Sequence, residues 1–157
     1  MRTALPIFLI LLSILSGGES RAEARQGVGS PGKVWITGGT FTLEELCKAV
    51  AKPELMTYEN SVATIYGSFE MRGQTAKLVI QPGETLRFCH VPVPHGQNPP
   101  PQQMIDRRLF LTQGLVEWKN CTVEGFYWIC VDPPVAGLWD NVNFIVADDH
   151  DNQYDPL

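Results

Sequence analysis

Residues 42–50 read TLEELCKAV and give the clearest local signal in the chain. Thr42 and Glu45 have the spacing of a capping box, in which each side chain accepts a hydrogen bond from a backbone N–H of the first helical turn. The apolar residues of the stretch repeat at helical spacing: Leu43, Leu46, Cys47 and Val50. The stretch therefore predicts a helix that packs one side against a core.

The segments on either side predict the rest of the fold. Residues 33–37 are a strand candidate, and residues 54–71 have apolar side chains at helical spacing that predict the longest helix. A proline-rich loop at 92–101 precedes a third predicted helix over 102–118. Residues 121–131 predict a hairpin and 142–146 a last strand. No internal repeat is evident.

These elements predict an α+β fold, a small, mainly helical, disulfide-stabilised single domain with a short C-terminal β element. The expected core residues are Leu46, Val62, Ile65, Phe69, Leu109 and Leu115.

The first 24 residues have the order of a secretory signal peptide. Arg2 precedes an apolar run over 4–15, and Ala22-Glu23-Ala24 matches an A-x-A cleavage site. The run is shorter than the roughly 20 residues that span a membrane. We therefore expect a periplasmic or secreted protein with no stable membrane span after cleavage. The predicted parts are a signal peptide (1–24), a flexible lead (25–32), one globular domain (33–147) and an acidic tail (148–157).

The charge balance argues against a nucleic-acid partner. Twelve Lys and Arg stand against 17 Asp and Glu, for a net charge of −5, whereas nucleic-acid binders carry basic patches. The acidic run around His150 has oxygen ligands that suit Ca²⁺ but lacks the spacing of an EF-hand. A solvated tail is the preferred interpretation, and no metal or cofactor is expected.

The four cysteines are even in number and lie beyond the predicted signal peptide: Cys47, Cys89, Cys121 and Cys130. In an exported protein this predicts two disulfides. Three pairings are possible, and we favour Cys47–Cys89 with Cys121–Cys130, because the second closes a short loop.

No catalytic residues are assigned. No serine lies in a G-x-S-x-G turn, and the sequence cannot bring a pair of carboxylates together in a cleft. An enzyme is therefore the less favoured interpretation. An envelope hydrolase with an unidentified carboxylate pair and an acid-stress chaperone of the envelope remain alternatives.

Four aromatic residues cluster in the last third of the chain: Trp118, Tyr127, Trp128 and Trp139. Such a cluster is typical of a core, and it is also typical of a partner-binding face, since Trp and Tyr dominate interface hot spots. They are the candidate interface residues.

Several short motifs resemble one known family. Residues 42–47 (TLEELC), a helix with Tyr58, Tyr66 and Gly67, and residues 88–92 (FCHVP) before another helix resemble the Rap/Tai family of periplasmic type VI secretion immunity proteins. The resemblance covers residues 40–118. It implies a mainly helical bundle that binds and neutralises a delivered toxin without catalysis. The expected function is that of an exported, non-catalytic binding protein of the bacterial cell envelope with a protein partner, such as an immunity or inhibitor protein.

Overall fold

The chain winds into a parallel β-solenoid, as seen in a computed structural model that describes residues 21–25, 32–90, 107–132 and 135–147. The elements in chain order are β1 (Arg21–Arg25), β2 (Lys33–Thr42), α1 (Leu43–Val50), β3 (Met56–Glu59), β4 (Val62–Tyr66), β5 (Ser68–Met71), β6 (Ala76–Ile80), β7 (Thr85–Cys89), β8 (Arg108–Leu111), β9 (Leu115–Phe126), β10 (Trp128–Val131) and β11 (Ala136–Val146).

The strands form four successive coils. The first coil contains β2 and β4, with α1 and β3 between them. The second contains β5, β6 and β7, the third β8 and β9, and the fourth β10 and β11. Parallel pairing between coils builds three sheets: β2-β5-β8-β10, β2-β6-β9-β11 and β4-β7-β9-β11. Two antiparallel pairs, β1 with β2 and β3 with β4, lie at the N-terminal end.

Alternation of side chains along each strand fills the interior. In β9, Val116, Trp118 and Val123 point inward and are buried, whereas Leu115 and Glu117 point outward and are exposed. Because the coils are in parallel register, each inward side chain lies above the inward side chain of the coil before it. The interior is therefore a continuous stack of apolar layers.

Positive backbone φ angles turn the chain at the corners. Asn120 (φ 48°) and Asn141 (φ 51°) occupy the same corner of successive coils, and the Asn141 side-chain amide donates to Oδ1 of Asn120 at 2.9 Å. Gly67 has φ +131°, and a Cβ there would lie 1.9 Å from the carbonyl oxygen of Gly32. Only glycine fits that crossing between coils.

The predicted helix at 42–50 is confirmed as α1. The Glu45 backbone N–H donates to Thr42 Oγ1 at 3.2 Å, and the Thr42 N–H donates to Glu45 Oε2 at 2.9 Å. The strands predicted at 33–37 and 142–146 are also confirmed, as parts of β2 and β11. These signals are local, since capping and alternation act within a few residues.

The α+β, mainly helical fold class is wrong, because the other two predicted helices are strands. Residues 54–71 contain β3, β4 and β5, and the described part of 102–118 contains β8 and the start of β9. In β4 the apolar residues alternate, with Ala63 and Ile65 inward. The same residues also satisfy helical spacing, and pairing with strands that are distant along the chain decides in favour of strands.

The predicted hairpin and the disulfides are also wrong. β9 and β10 do not pair with each other, because each pairs with other coils. Cys121 aligns with Val142 at a corner of β9, while Cys130 aligns with Phe110 in a different sheet. Cys47 lies on α1 and Cys89 ends β7 in the second coil. None of the four cysteines is in a disulfide.

Most of the predicted core is confirmed: Leu46, Ile65, Phe69 and Leu109 are buried. Leu115 points outward and is exposed, and Val62 is half-buried. The acidic tail, the signal peptide through residue 20 and most of the flexible lead lie outside the described residues. β1 crosses the predicted cleavage site after Ala24.

Candidate protein-interaction surface

The N-terminal end of the solenoid is covered. α1 buries Leu43, Leu46 and Val50 over the first coil and contacts β1, β2, β3, β4 and β6. The Lys52 ammonium donates to the carbonyl oxygen of Ala24 at 2.6 Å, which ties β1 to the turn after the helix. α1 therefore covers the apolar interior at this end, and β1 covers the outer edge of β2 from Lys33 to Gly38.

At the C-terminal end, none of the described elements covers the fourth coil. Its inward side chains align with fully buried residues of the third coil, yet they are between 38% and 59% exposed: Ile129, Val131, Trp139, Phe144 and Val146. We call these five residues, together with the half-buried Val142, the open face. It is the top layer of the core, presented to solvent.

Aromatic rings support the open face from below. The ring centroids of Trp118 and Trp139 are 4.8 Å apart at an interplanar angle of 67°, and Phe144 packs edge-on against Phe126 at 6.2 Å. Trp139 and Phe144 are themselves 6.2 Å apart. Such packing restricts the rotamers that these side chains can adopt.

The outer side of the same coil is apolar as well. Trp128 is 63% exposed, and Leu138 and Ile145 are also exposed. β10 and β11 have a free edge whose backbone N–H and C=O groups lack a neighbouring strand among the described residues. Exposed edges in soluble proteins are usually protected by Lys, Pro or other charges, but the two strands contain a single charged residue, Asp140.

Of the four aromatic residues proposed as an interface, two are exposed on the fourth coil and two are not. Trp139 belongs to the open face and Trp128 lies beside it on the outer surface. Trp118 is completely buried beneath Trp139, and Tyr127 is half-buried with the guanidinium of Arg107 at 4.9 Å from its ring centroid.

Sequence reasoning missed five residues of the open face: Ile129, Val131, Val142, Phe144 and Val146. A repeat could have revealed them, because aligned residues of the third and fourth coils are 20 or 21 residues apart, as in Phe126–Val146 and Val123–Phe144. An alignment of the chain with itself at these two offsets places the second member of each pair in the next coil.

Several of the described carboxylates form ion pairs with basic residues of a neighbouring coil. Glu117 accepts a hydrogen bond from Lys77, and Glu124 accepts one from Arg87, each at 2.6 Å and each between the second coil and the third. Glu70 pairs with Lys33 in the same way, between the second coil and the first. These groups lie on outer faces and hold neighbouring coils in register.

Among the described residues, one carboxylate is buried, at a corner of the second coil. Glu84 accepts from the Tyr58 hydroxyl and from the Gln81 backbone N–H, both at 2.7 Å. The hydrogen bond to Glu84 raises the pKa of Tyr58, and burial raises the pKa of the Cys121 thiol. Both groups keep their protons at neutral pH, which suits a structural link and not a proton shuttle.

Two further features bear on chemistry. A groove of about 310 Å³ is lined by Gln74, Gln113, Gly114, Leu115 and Ala136, none of which titrates. The described residues contain no cluster of three or more metal-ligating side chains. Within the same residues, no helix has the length and apolar character to cross a membrane.

Compared with protein-family models, curated proteins and solved structures, the chain has no significant match.

Proposed function

We propose that the protein is an exported, non-catalytic binding protein whose open face and adjoining strand edge take up another polypeptide. One observation carries the proposal: the inward row of the last coil is built like a core and is left uncovered. Solenoids need polar terminal layers to stay soluble alone. A terminal layer that is apolar instead gains stability when a second surface covers it.

The local chemistry suits a polypeptide better than a small molecule. The edge of β11 offers a row of backbone donors and acceptors to an added strand, and the ordered rings of Trp139 and Phe144 offer anchors of the kind found at interface hot spots. The surface is the end of a stack and not a cleft. A role as an immunity or inhibitor protein is one form this binding takes, and export remains part of the proposal.

A photo-cross-linking residue placed at position 143 tests the proposal in cells. Asn143 lies on the free edge of β11 with an exposed, outward side chain, so its replacement leaves the interior intact. The matched control is the same cross-linker at Thr40, an exposed position in the first coil. We expect a polypeptide adduct at 143 that is absent at 40.

The adducts decide the outcome when the variants are exported and remain resistant to protease. A polypeptide adduct specific to position 143 supports the proposal. Equal adducts at the two positions, or none at 143, overturn it.

A further inference from the structure

We propose that the polypeptide taken up by the open face is a second copy of this chain, forming a two-fold dimer end to end. This inference rests on the binding role proposed above and specifies the partner. A two-fold axis perpendicular to the solenoid axis brings the same face of two copies together, the arrangement of an isologous interface.

The shape of the fourth coil fits such an axis. β11 bends at Asn141 into two arms of equal length, 136–140 in one sheet and 142–146 in the next. When the axis passes through this corner and through the middle of β10, residues 136–140 of one copy run antiparallel to residues 142–146 of the other. β10 then runs antiparallel to its own counterpart, and all three sheets continue across the junction.

One register pairs four of the exposed apolar side chains of β11 with each other, while Val146 lies opposite Gly137 of the partner subunit. With Trp139 opposite Phe144 of the partner subunit, inward side chains meet inward side chains. In the same register Leu138 lies opposite Ile145 of the partner subunit, so the outward apolar residues pair as well. Asp140 faces Asn143 of the partner subunit, and no like charges meet.

The area available matches what a stable dimer needs. The five exposed side chains of the open face present on the order of 100 Å² each, and the strand edges raise the total to roughly 700–800 Å² per copy. A standard protein interface buries about 800 Å² per partner. Cross-strand aromatic pairs and the new backbone hydrogen bonds add directional contacts to this area.

The opposite end limits the assembly to two copies. α1 and the β3–β4 pair cover the first coil, and both remain when cleavage after Ala24 removes most of β1, so a second copy cannot stack its open face there. A head-to-tail arrangement, which would grow into a filament, is blocked by the same cover. Residues 148–157 are a poor alternative cover, since four of the ten are Asp and only Tyr154 and Leu157 are large and apolar.

Sedimentation velocity of the purified exported chain from about 1 to 100 µM, a range that brackets micromolar dissociation constants, tests the proposal. The wild type should sediment as a dimer that dissociates on dilution. Ile145→Lys places a charge on the free edge without touching the inward row, and it should weaken association at least tenfold. Thr40→Lys adds the same charge on the first coil and should leave association unchanged. A wild-type chain that stays monomeric at 100 µM, or a dimer that Ile145→Lys leaves intact, overturns the proposal.

A thiol cross-link tests the geometry independently. The axis through β10 puts Cys130 opposite Cys130 of the partner subunit, within reach of a short bis-maleimide that adds one thiol at each end. We expect a covalent dimer that Cys130→Ser abolishes and Cys47→Ser does not. A covalent dimer that persists in Cys130→Ser overturns this arrangement.

The cross-linking at position 143 separates the two proposals. An adduct with a different polypeptide, formed by a chain that is monomeric in sedimentation, overturns the dimer and leaves the binding role standing. A monomeric chain with no adduct at 143 overturns both.

Discussion

Trp118 and Trp139 form a matched pair for measuring what covers each coil. They are the same residue type, aligned in successive coils, with ring centroids 4.8 Å apart. Trp118 is 0% exposed, with Ile80 aligned on one side and Trp139 on the other, whereas Trp139 is 38% exposed. Replacing either by Ala removes the same ring contact.

The expected losses differ because only one replacement leaves an enclosed cavity. Trp118→Ala should lower the free energy of unfolding by about 3–5 kcal/mol, as for other buried aromatic residues. Trp139→Ala loses roughly 60% of a full burial and leaves a gap that is open to solvent, so about 2 kcal/mol is expected in the dissociated chain. Both values are large against the 5–15 kcal/mol that stabilises an ordinary domain.

Urea unfolding followed by far-ultraviolet circular dichroism measures both losses in dilute protein. Repeating the measurement at high concentration should enlarge the loss for Trp139→Ala, because association stabilises the folded chain by mass action and Trp139 lies in the contact. Equal losses for the two variants in dilute protein would refute the reasoning, since they would mean that Trp139 is covered within a single chain.

Three further predictions follow from the solenoid. Gly67→Ala should lower the free energy of unfolding by about 3 kcal/mol or more, since its Cβ would lie 1.9 Å from the Gly32 carbonyl oxygen. Gly83→Ala, with φ +83° and no atom within 4 Å, should lower it by only about 1 kcal/mol. Equal urea midpoints for the two variants would contradict this. Iodoacetamide should alkylate all four cysteines of the unfolded, unreduced protein, and a disulfide-linked peptide in the mass spectrum would contradict this. In the native state Cys121 should react slowly, because burial raises its thiol pKa. N-terminal sequencing of the exported chain should give residue 25 as its first residue. A chain that retains residues 21–24 should have a higher urea midpoint, because β1 pairs with β2 and Ala24 is buried. A lower midpoint for the longer chain would count against that pairing.

Local signals in the sequence were sufficient for α1 and insufficient for the coils. The capping box joins Thr42 and Glu45 across a single turn, so no distant residue is needed to recognise it. The segment over 62–69 satisfies two periods at once, and the choice of strand depends on pairing with β7, more than twenty residues further along the chain. The strand propensity of these residues does not show which distant strand they pair with.

Insertions concealed the repeat. The third and fourth coils align at 20 or 21 residues, but α1 and β3 interrupt the first coil, and residues 91–106 separate the second coil from the third. Only one pair of neighbouring coils therefore keeps the basic spacing. For the same reason the sequence could not separate exposed from buried aromatic residues. Trp118 and Trp139 look equivalent in the sequence, and their exposure differs because one more coil covers Trp118.

The placement of charge shows what kind of contact the open face favours. Lys33–Glu70 joins the first coil to the second, Lys77–Glu117 joins the second to the third, and Lys119–Asp140 joins the third to the fourth. Each junction between coils is thus bridged by opposite charges on the outer surface. Beyond the fourth coil this pattern stops, since the only charge on its strands, Asp140, already faces Lys119 at 3.8 Å. A partner at this end consequently gains little from charge, and its affinity comes from apolar burial and from hydrogen bonds along the strand edge. A second copy supplies both, in the same geometry and with the same alternation of inward and outward side chains.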